Sequence, residues 1–229
     1  MIDLHSHILP AIDDGSASVE ESEKLLQMLC SQGVTTVVAT PHFYANSDYP
    51  EIFLEKRARA FAALPPCQSP QILLGAEVAY FDGMGHCQEL EQMQLGQSGL
   101  LLVEMPFTPW SERMVEEVCQ LQISLGLRPV LAHIDRYMDK KQIREYCDVL
   151  LDNEVYFQCN ADAFRHPLKR RWLLKQLQVG NIHFLGSDCH NLQNRPPRLD
   201  QASEVIARKL GEKTLKQLDE TARTLLKLQ

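Results

Sequence analysis

The chain has little of what marks several broad protein classes. No apolar run among its 229 residues approaches the roughly 18–20 residues that cross a bilayer, so no direct membrane insertion is expected. The opening residues Met1-Ile2-Asp3-Leu4-His5 carry neither a basic region nor an apolar stretch, and no secretory signal is expected. Seven cysteines are scattered without a CxxC pair. An odd, dispersed set suits buried, reduced thiols in the cytoplasm better than a disulfide framework. Basic residues are outnumbered 23 to 30, for a net charge of −7. That balance lacks the broad cationic surface that nucleic-acid backbones require, and no nucleic-acid partner is expected. It does not exclude a small anion, because a few arginines beside metal ions reverse the local potential. No internal repeat or long linker divides the chain, and a GxGxxG turn is missing from the first strand–helix junction, which removes support for a dinucleotide fold.

What is present is a recurring unit: a short apolar, β-rich run, a polar loop, then a helical pattern. The runs fall at residues 2–4, 34–39 (VTTVVA), 72–75, 100–103, 129–132, 155–159 and 182–185. Near-continuous apolar character suits strands covered on both faces, as in a parallel sheet. Ser18 followed by Glu21 predicts a capping box before Leu25, Leu26 and Leu29, with Gly33 as the stop. Thr108-Pro109 is expected to cap and start a helix carrying Met114, Val115, Val118 and Leu121, closed by Gly126. Further helices are expected over 140–153, 168–179 (started by Pro167, closed by Gly180), 201–210 and 212–228. The pattern predicts one α/β domain over 1–229, a distorted (β/α)7 TIM-like barrel, with a doubly wound open sheet as the alternative.

Ionisable residues fall on this map at the carboxyl ends of the strands. His5 and His7 follow the first run, with Asp13 and Asp14 in the next loop; His42 follows the second. Glu77 ends the third, Glu104 the fourth and His133 the fifth, while Asp188 and His190 follow the last. In a β/α barrel those ends converge on one face, where active sites are built. Residues two apart in extended backbone point the same way, so His5 with His7, and Asp188 with His190, can each address one site. Singly each residue has a bland reading as a surface or hydrogen-bonded group; jointly they predict a cluster of divalent ions. Imidazole with carboxylate suits Mn²⁺, Fe²⁺ or Zn²⁺ rather than Ca²⁺.

The motifs HSHILPAIDDG, ATPHF, GAEV, AHIDRY, GSDCHN and NRPPRL, in this order, resemble the polymerase-and-histidinol-phosphatase superfamily, and within it the bacterial capsular-polysaccharide-type protein-tyrosine phosphatases. The resemblance runs from His5 to Arg198 and implies a distorted barrel with a trinuclear site, usually supplied with manganese. By position, His5, His7, Glu77 and Asp188 would hold one ion, and Glu77 would bridge to a second completed by Glu104 and His133. Asp14, His42 and His190 would hold the third, with Asp13 as a substitute for Asp14. Arg136 and Arg195 match the phosphate-binding arginines, and Arg198 is a weaker match that could point to solvent as a helix N-terminal charge. The implied reaction is hydrolysis of phosphotyrosine by a metal-activated hydroxide, with His42 or a metal-bound water as the acid. The implied partner is a phosphotyrosine protein, the C-terminal tail of a membrane tyrosine kinase that regulates capsule or exopolysaccharide synthesis. A phosphatase for a small metabolite such as histidinol phosphate is the alternative. One departure stands out: the family's usual HPERY is His133-Ile134-Asp135-Arg136-Tyr137 here. The expected consequence is tuning of the loop.

Two further features invite a role. Cys159 through Arg165 satisfies the CxxxxxR spacing of cysteine phosphatases, yet it contains no glycine and places Asp162 where a phosphate would sit. An inert, strand-ending Cys159 is the expectation, with Arg165 and His166 able to rim the pocket. Phe43, Tyr44 and Tyr49 lie in the loop after the second strand and could stack on a phosphotyrosine ring or equally serve as core or loop packing; Tyr44 is the candidate substrate contact.

Overall fold

The computed structural model describes residues 1–66, 69–137 and 141–228. Parallel strands and helices alternate along it. In chain order they are β1 (Ile2–Ser6), α1 (Val19–Ser31), β2 (Thr36–Ala39), β3 (His42–Phe43), α2 (Pro50–Ala62), β4 (Gln71–Leu74) and β5 (Glu77–Ala79). There follow β6 (Leu100–Glu104), α3 (Glu112–Leu125), β7 (Arg128–Leu131), α4 (Lys141–Asp152), β8 (Tyr156–Asn160), α5 (Pro167–Gln178), β9 (Phe184–Gly186), α6 (Leu199–Leu210) and α7 (Glu212–Leu225).

The strands pair in the orders β1-β2-β4 and β3-β5-β6-β7-β8-β9, every pair parallel. Two interruptions separate the orders, at Thr40-Pro41 between β2 and β3 and at Gly75-Ala76 between β4 and β5. Hydrogen bonds bridge the gap: Gly75 N donates to Ala39 O at 2.9 Å and Glu77 N to Pro41 O at 3.0 Å. The far ends also meet. Ser6 bridges Cys189 in parallel register, and Asp188 N donates to His5 O at 2.8 Å. The sheet is therefore curled, and its first and last strands touch at their carboxyl ends.

Alternation along the strands places apolar residues below and polar residues above. Leu100 and Leu102 join a buried cluster with Leu4, Val130, Ala132 and Phe184, and Glu104 follows on the same face of β6. Tyr156, packed on that cluster, is followed by Gln158 and Asn160 on β8. A larger cluster, including Leu25, Leu29, Val37, Leu101, Val103, Val118, Leu131, Phe157, Leu173 and Ile206, joins the other face to the helices. Burying one such leucine side chain contributes about 1.5–3 kcal/mol, so two continuous clusters supply the main driving force.

Helix ends follow local chemistry. Ser18 accepts from Glu21 N at 3.2 Å, but the Glu21 carboxylate takes Ala17 N at 3.0 Å, not the Ser18 amide of a full box. For α3 the cap is Ser111, which accepts from Met114 N at 3.3 Å; the expected Thr108-Pro109 start lies one turn too early. Trp110 accounts for the delay, since its indole Nε1 donates to Pro106 O at 2.9 Å and its buried ring holds that stretch in a loop. Pro167 opens α5 as expected, and Gly126 closes α3 with φ 69°. Lys140, the expected first residue of the fourth helix, lies outside the described residues. Helix α2 was not expected from the sequence, although Pro50 opens it as Pro167 opens α5: it buries only Phe53 and Arg57, and Tyr49 provides no side-chain cap.

Candidate metal centre

The functional side chains are delivered by breaks in the strands as much as by the strands. Glu77 does not end the third run. The chain kinks at Gly75-Ala76, and Glu77 opens β5 opposite His42 in register. His42 likewise sits in its own short strand and not in a loop. Glu104 is the last residue of β6. His133 and Asp188 have φ of 34° and 51°, a left-handed backbone that non-glycine residues rarely adopt and that is typically kept where a side chain must be aimed. Two glycines allow close approach. A Cβ on Gly15 would stand 2.5 Å from His7 Cβ, and one on Gly186 would stand 2.6 Å from His5 Cβ.

At the centre is Glu77, whose side chain is 1% exposed. Its Oε2 lies 3.1 Å from His5 Nε2, 3.3 Å from His7 Nε2 and 3.1 Å from His42 Nδ1, and its Oε1 lies 3.0 Å from His133 Nε2. Glu104 Oε1 stands 3.2 Å from His133 Nε2. Asp14 Oδ1 is 3.5 Å from His42 Nε2 and 3.3 Å from His190 Nε2. Three groups of ligand atoms converge closely enough for one ion each: His5, His7 and Glu77; His42, Glu77 and Glu104; and His7, Asp14, His42 and His190. Thus His7 also faces the group expected for Asp14, and His42 also faces Glu104. The eight residues named for ligation besides Asp188 all enter these groups or, for His133, pair with two of their members. Asp13 plays a different part: its Oδ2 accepts from His7 Nδ1 at 2.7 Å and from His42 N at 3.0 Å, leaving the open carboxylate to Asp14.

Asp188 is gripped from the other side. Arg136 donates to its Oδ2, Arg195 donates to its Oδ1 at 2.6 Å, and Asn160 Nδ2 donates to Oδ2 at 2.7 Å. The same Oδ1 is 3.6 Å from His5 Nε2 and 3.5 Å from His7 Nε2. Arg136, Arg195, Arg198 and Lys169 line a cavity of about 140 Å³ against Asp188. Arg198 does not point to solvent: its Nε meets Asp162 at 3.0 Å, and Arg165 meets the same carboxylate oxygen at 3.0 Å. His166 lines the cavity, whereas Arg165 is spent on Asp162. Cys159 is fully buried, and burial pushes its thiol well above the ordinary range, so it is no thiolate nucleophile.

Whether this pocket suits cations can be asked of its polar atoms. His42 Nδ1, Glu77 Oε2 and His190 Nε2 are buried without a hydrogen-bond partner, a costly arrangement for apolar packing alone. Oxygen and imidazole nitrogen are the donor set that divalent transition metals take, so the residues fit such ions. Protonation tells the same story. Burial depresses the His7 imidazolium, but the hydrogen bond to Asp13 and the nearby Glu77 carboxylate outweigh it and lift its pKa to about 10. His133, also depressed by burial, is lifted to about 9 by Glu104 and Glu77. Burial, with the nearby His7 and Arg195 charges, lowers His190 to about 4. Protons on His7 and His133 occupy the places where cations would neutralise Glu77 and Glu104.

Several residues that matter here were not singled out from sequence. Gln158 Oε1 accepts from His133 N at 2.7 Å and lies 3.2 Å from His5 Nδ1, which turns His5 Nε2 toward Glu77. Asp3 accepts from Ser187 N at 2.7 Å and Ser187 Oγ at 2.6 Å, tying β1 to the loop that carries Asp188. Its spacing of two from His5 and four from His7 was the available signal. Asp135, by contrast, stood out in the sequence as the acid of the departing AHIDRY motif; it accepts from Asn160 N at 2.8 Å and lies 3.5 Å from Lys169 Nζ. Of the three candidate aromatic contacts, only Tyr44 flanks the site, stacked on His42 at 5.2 Å. Phe43 is buried against Phe53, and Tyr49 is exposed at the start of α2.

Comparison with known proteins now bears on this geometry. The family model described as "Capsular polysaccharide synthesis, CpsB/CapC" matches residues 1–226. The chain belongs to the CpsB/CapC family. Tyrosine-protein phosphatase CpsB of Streptococcus pneumoniae is 35% identical to it, over 95% of this chain and 94% of that protein. Tyrosine-protein phosphatase YwqE of Bacillus subtilis is 29% identical over 100% and 92% respectively. A crystal structure from work on YwqE and CpsB, described there as metal-dependent tyrosine phosphatases, superposes with a TM-score of 0.84 at 26% identity, covering 100% of this chain and 95% of that one. The CpsB/CapC assignment accords with the superfamily resemblance of the motifs, and among the described residues no helix is long and apolar enough to cross a membrane.

Proposed function

We propose that this CpsB/CapC-family chain is a manganese-dependent protein-tyrosine phosphatase built on a distorted (β/α)7 barrel, with its metals at the carboxyl ends of the strands. The observation that carries the reading is a buried carboxylate, Glu77, ringed by four imidazoles at 3.0–3.3 Å. The names of its relatives, tyrosine-protein phosphatases, supply the reaction class: hydrolysis of a phosphoric monoester.

His5, His7, Asp14, His42, Glu77, Glu104, His133, Asp188 and His190 would hold two or three ions. Bound there, divalent cations supply Lewis acidity and lower the pKa of water into the neutral range. The donor set also accepts iron or zinc. The chain's own groups do the rest. Arg136 and Arg195 present planar N–H forks at the mouth of the site and would bind phosphate oxygens, neutralising charge as it spreads over them in the transition state. Asp188 holds both guanidiniums in place beforehand, which lowers the cost of ordering them. Tyr44, beside His42, would contact the substrate ring. A phenolate leaves readily (pKa about 10), so little demand falls on an acid; His42, depressed by burial, is better suited to ligation than to giving a proton.

The physiological substrate in this reading is a phosphotyrosine protein in the cytoplasm, the C-terminal tail of a membrane tyrosine kinase in capsular or exopolysaccharide synthesis. The family's description supports the pathway. The test is hydrolysis of a phosphotyrosine peptide beside histidinol phosphate, before chelation, after it, and after Mn²⁺ is restored. Peptide turnover that disappears on chelation and returns with manganese is expected. Turnover of histidinol phosphate alone would discard the protein substrate, and chelator-resistant turnover would discard the metal mechanism.

A further inference from the structure

Asp3 is a fully buried carboxylate on β1, and among the described residues no ion pair neutralises it. Taking a carboxylate out of water without a cation is costly, so its hydrogen bonds must offset the loss. All of them come from two residues. Asp3 Oδ1 accepts from His5 N at 3.3 Å and from Ser187 N at 2.7 Å, and Oδ2 accepts from Ser187 Oγ at 2.6 Å. His5 belongs to the ligand cluster, and Ser187 directly precedes Asp188.

The bonds continue through the turn that carries Asp188. Ser187 Oγ accepts from Cys189 N at 3.2 Å, and Asp188 N donates to His5 O at 2.8 Å. Three successive amides, those of residues 187 to 189, are therefore tied to β1, two of them by way of Asp3. His7 N closes the set by donating to Cys189 O at 2.9 Å. Between these anchors Asp188 holds its left-handed backbone, φ 51°. A non-glycine residue keeps that conformation only where its surroundings over-determine it. The same turn aims the Asp188 side chain, whose Oδ1 lies 3.6 Å from His5 Nε2 and 3.5 Å from His7 Nε2. Asp3 and Ser187 are both buried, so water does not compete for the bonds between them.

We infer that Asp3 is a positioning residue: through Ser187 it locks the closure between β1 and the turn after β9, so that His5 and Asp188 present their ligand atoms to one ion. The inference rests on the metal-dependent reading of the site and deepens it, because Asp3 itself belongs to none of the converging ligand groups. Its expected effect is on how tightly the site holds a divalent cation.

Two substitutions cut the link from opposite ends. Asp3→Asn keeps the volume and one acceptor oxygen but replaces the other acceptor with a donor. Ser187→Ala removes the hydroxyl and leaves the carboxylate charge in place, so a loss shared by both variants is not a loss of electrostatic field. Dissociation constants for Mn²⁺ are measured by chelator competition for the wild type, each variant and the double variant, at a temperature where circular dichroism shows every chain folded. Thermal midpoints of the metal-free proteins are recorded beside them. Each single change is expected to weaken Mn²⁺ binding about 10- to 100-fold. The double variant should lose less than the product of the two, because both changes break one link. Lowered thermal midpoints with Mn²⁺ affinity within about twofold of wild type would mean a merely structural Asp3 and overturn the inference, as would losses that multiply. If Asp3→Asn does not fold, Ser187→Ala decides by the same comparison. A wild type whose Mn²⁺ affinity depends on Asp3 but which hydrolyses no phosphotyrosine peptide overturns the phosphatase reading and leaves the positioning role standing. A wild type that binds no Mn²⁺ overturns both.

Discussion

Two stretches of this chain carry a spacing associated with phosphate hydrolysis, and the fold treats them in opposite ways. The histidine and carboxylate residues come from strands and loops spread between positions 5 and 190, yet their ligand atoms converge around Glu77. Cys159 through Arg165 is contiguous, yet its two ends stand in different surroundings. Cys159 is buried in β8, Arg165 is half exposed, and Asp162 between them takes the charge of both Arg165 and Arg198. In the first region polar atoms remain buried without partners; in the second each charge is already matched. A site that binds a further ion or anion needs capacity left over, and of these two regions only the histidine–carboxylate cluster has it.

The contrast can be broken or sharpened experimentally. The largest effect is expected from Asp188→Ala or His5→Ala. Each removes a group that faces both His7 and Glu77 or the arginines, and phosphatase turnover should fall at least a thousandfold with the fold kept and bound metal reduced; circular dichroism and metal analysis check the last two. Normal turnover with intact metals in the His5 variant would show the ligand assignment to be wrong. Arg136→Lys keeps a positive charge but loses the planar fork, so kcat/KM should drop about a hundredfold while metal content stays constant. Gln158→Leu removes the acceptor that orients His5 and should weaken metal affinity about 10- to 100-fold, measured by competition with a chelator. Metal affinity should also depend on pH with a fixed sign. In the metal-free chain His7 and His133 hold their protons up to about 10 and about 9. Ions must displace those protons, so binding weakens as pH falls and releases protons to buffer, which calorimetry in two buffers measures. The smallest effect belongs to the second region: Cys159→Ser should leave turnover within about twofold, since a buried thiol with a raised pKa contributes no nucleophile. A large loss there, with metals retained, would reverse the comparison.

Most of the parallel strands were legible because apolar runs covered on both faces leave a plain signature, as at residues 100–103 and 129–132. Boundaries slipped by one or two residues where a run shades into its loop. Helix α2 was missed because its buried stripe consists of Phe53 and an arginine, Arg57, whose guanidinium is held by Gly75 O at 2.7 Å and Gln92 O at 2.9 Å. The splitting of β2/β3 and β4/β5 was also invisible, since Pro41 and Gly75 read as ends of strands and not as kinks within them. Among site residues, histidines and acids after strands announce themselves by type. Gln158 and Asn160 do not, because amides occur throughout loops and strand ends without contacting any site.

By itself the sequence determined the residue types and the periodic order that brings them to one face: alternating strand and helix signals, and a polar donor after nearly every strand. It could not decide roles that depend on which atom points where. Asp13 and Asp14 are adjacent and chemically identical, and only the turn over Gly15 hands Asp13 to His7 Nδ1 and leaves Asp14 facing His42 and His190. The same holds for Arg198, drawn to Asp162 by a contact 36 positions away in sequence. Local patterns report backbone period and burial, whereas the partner of a charged atom is set by long-range closure of the sheet, which brings the first and last strands together at Ser6 and Cys189.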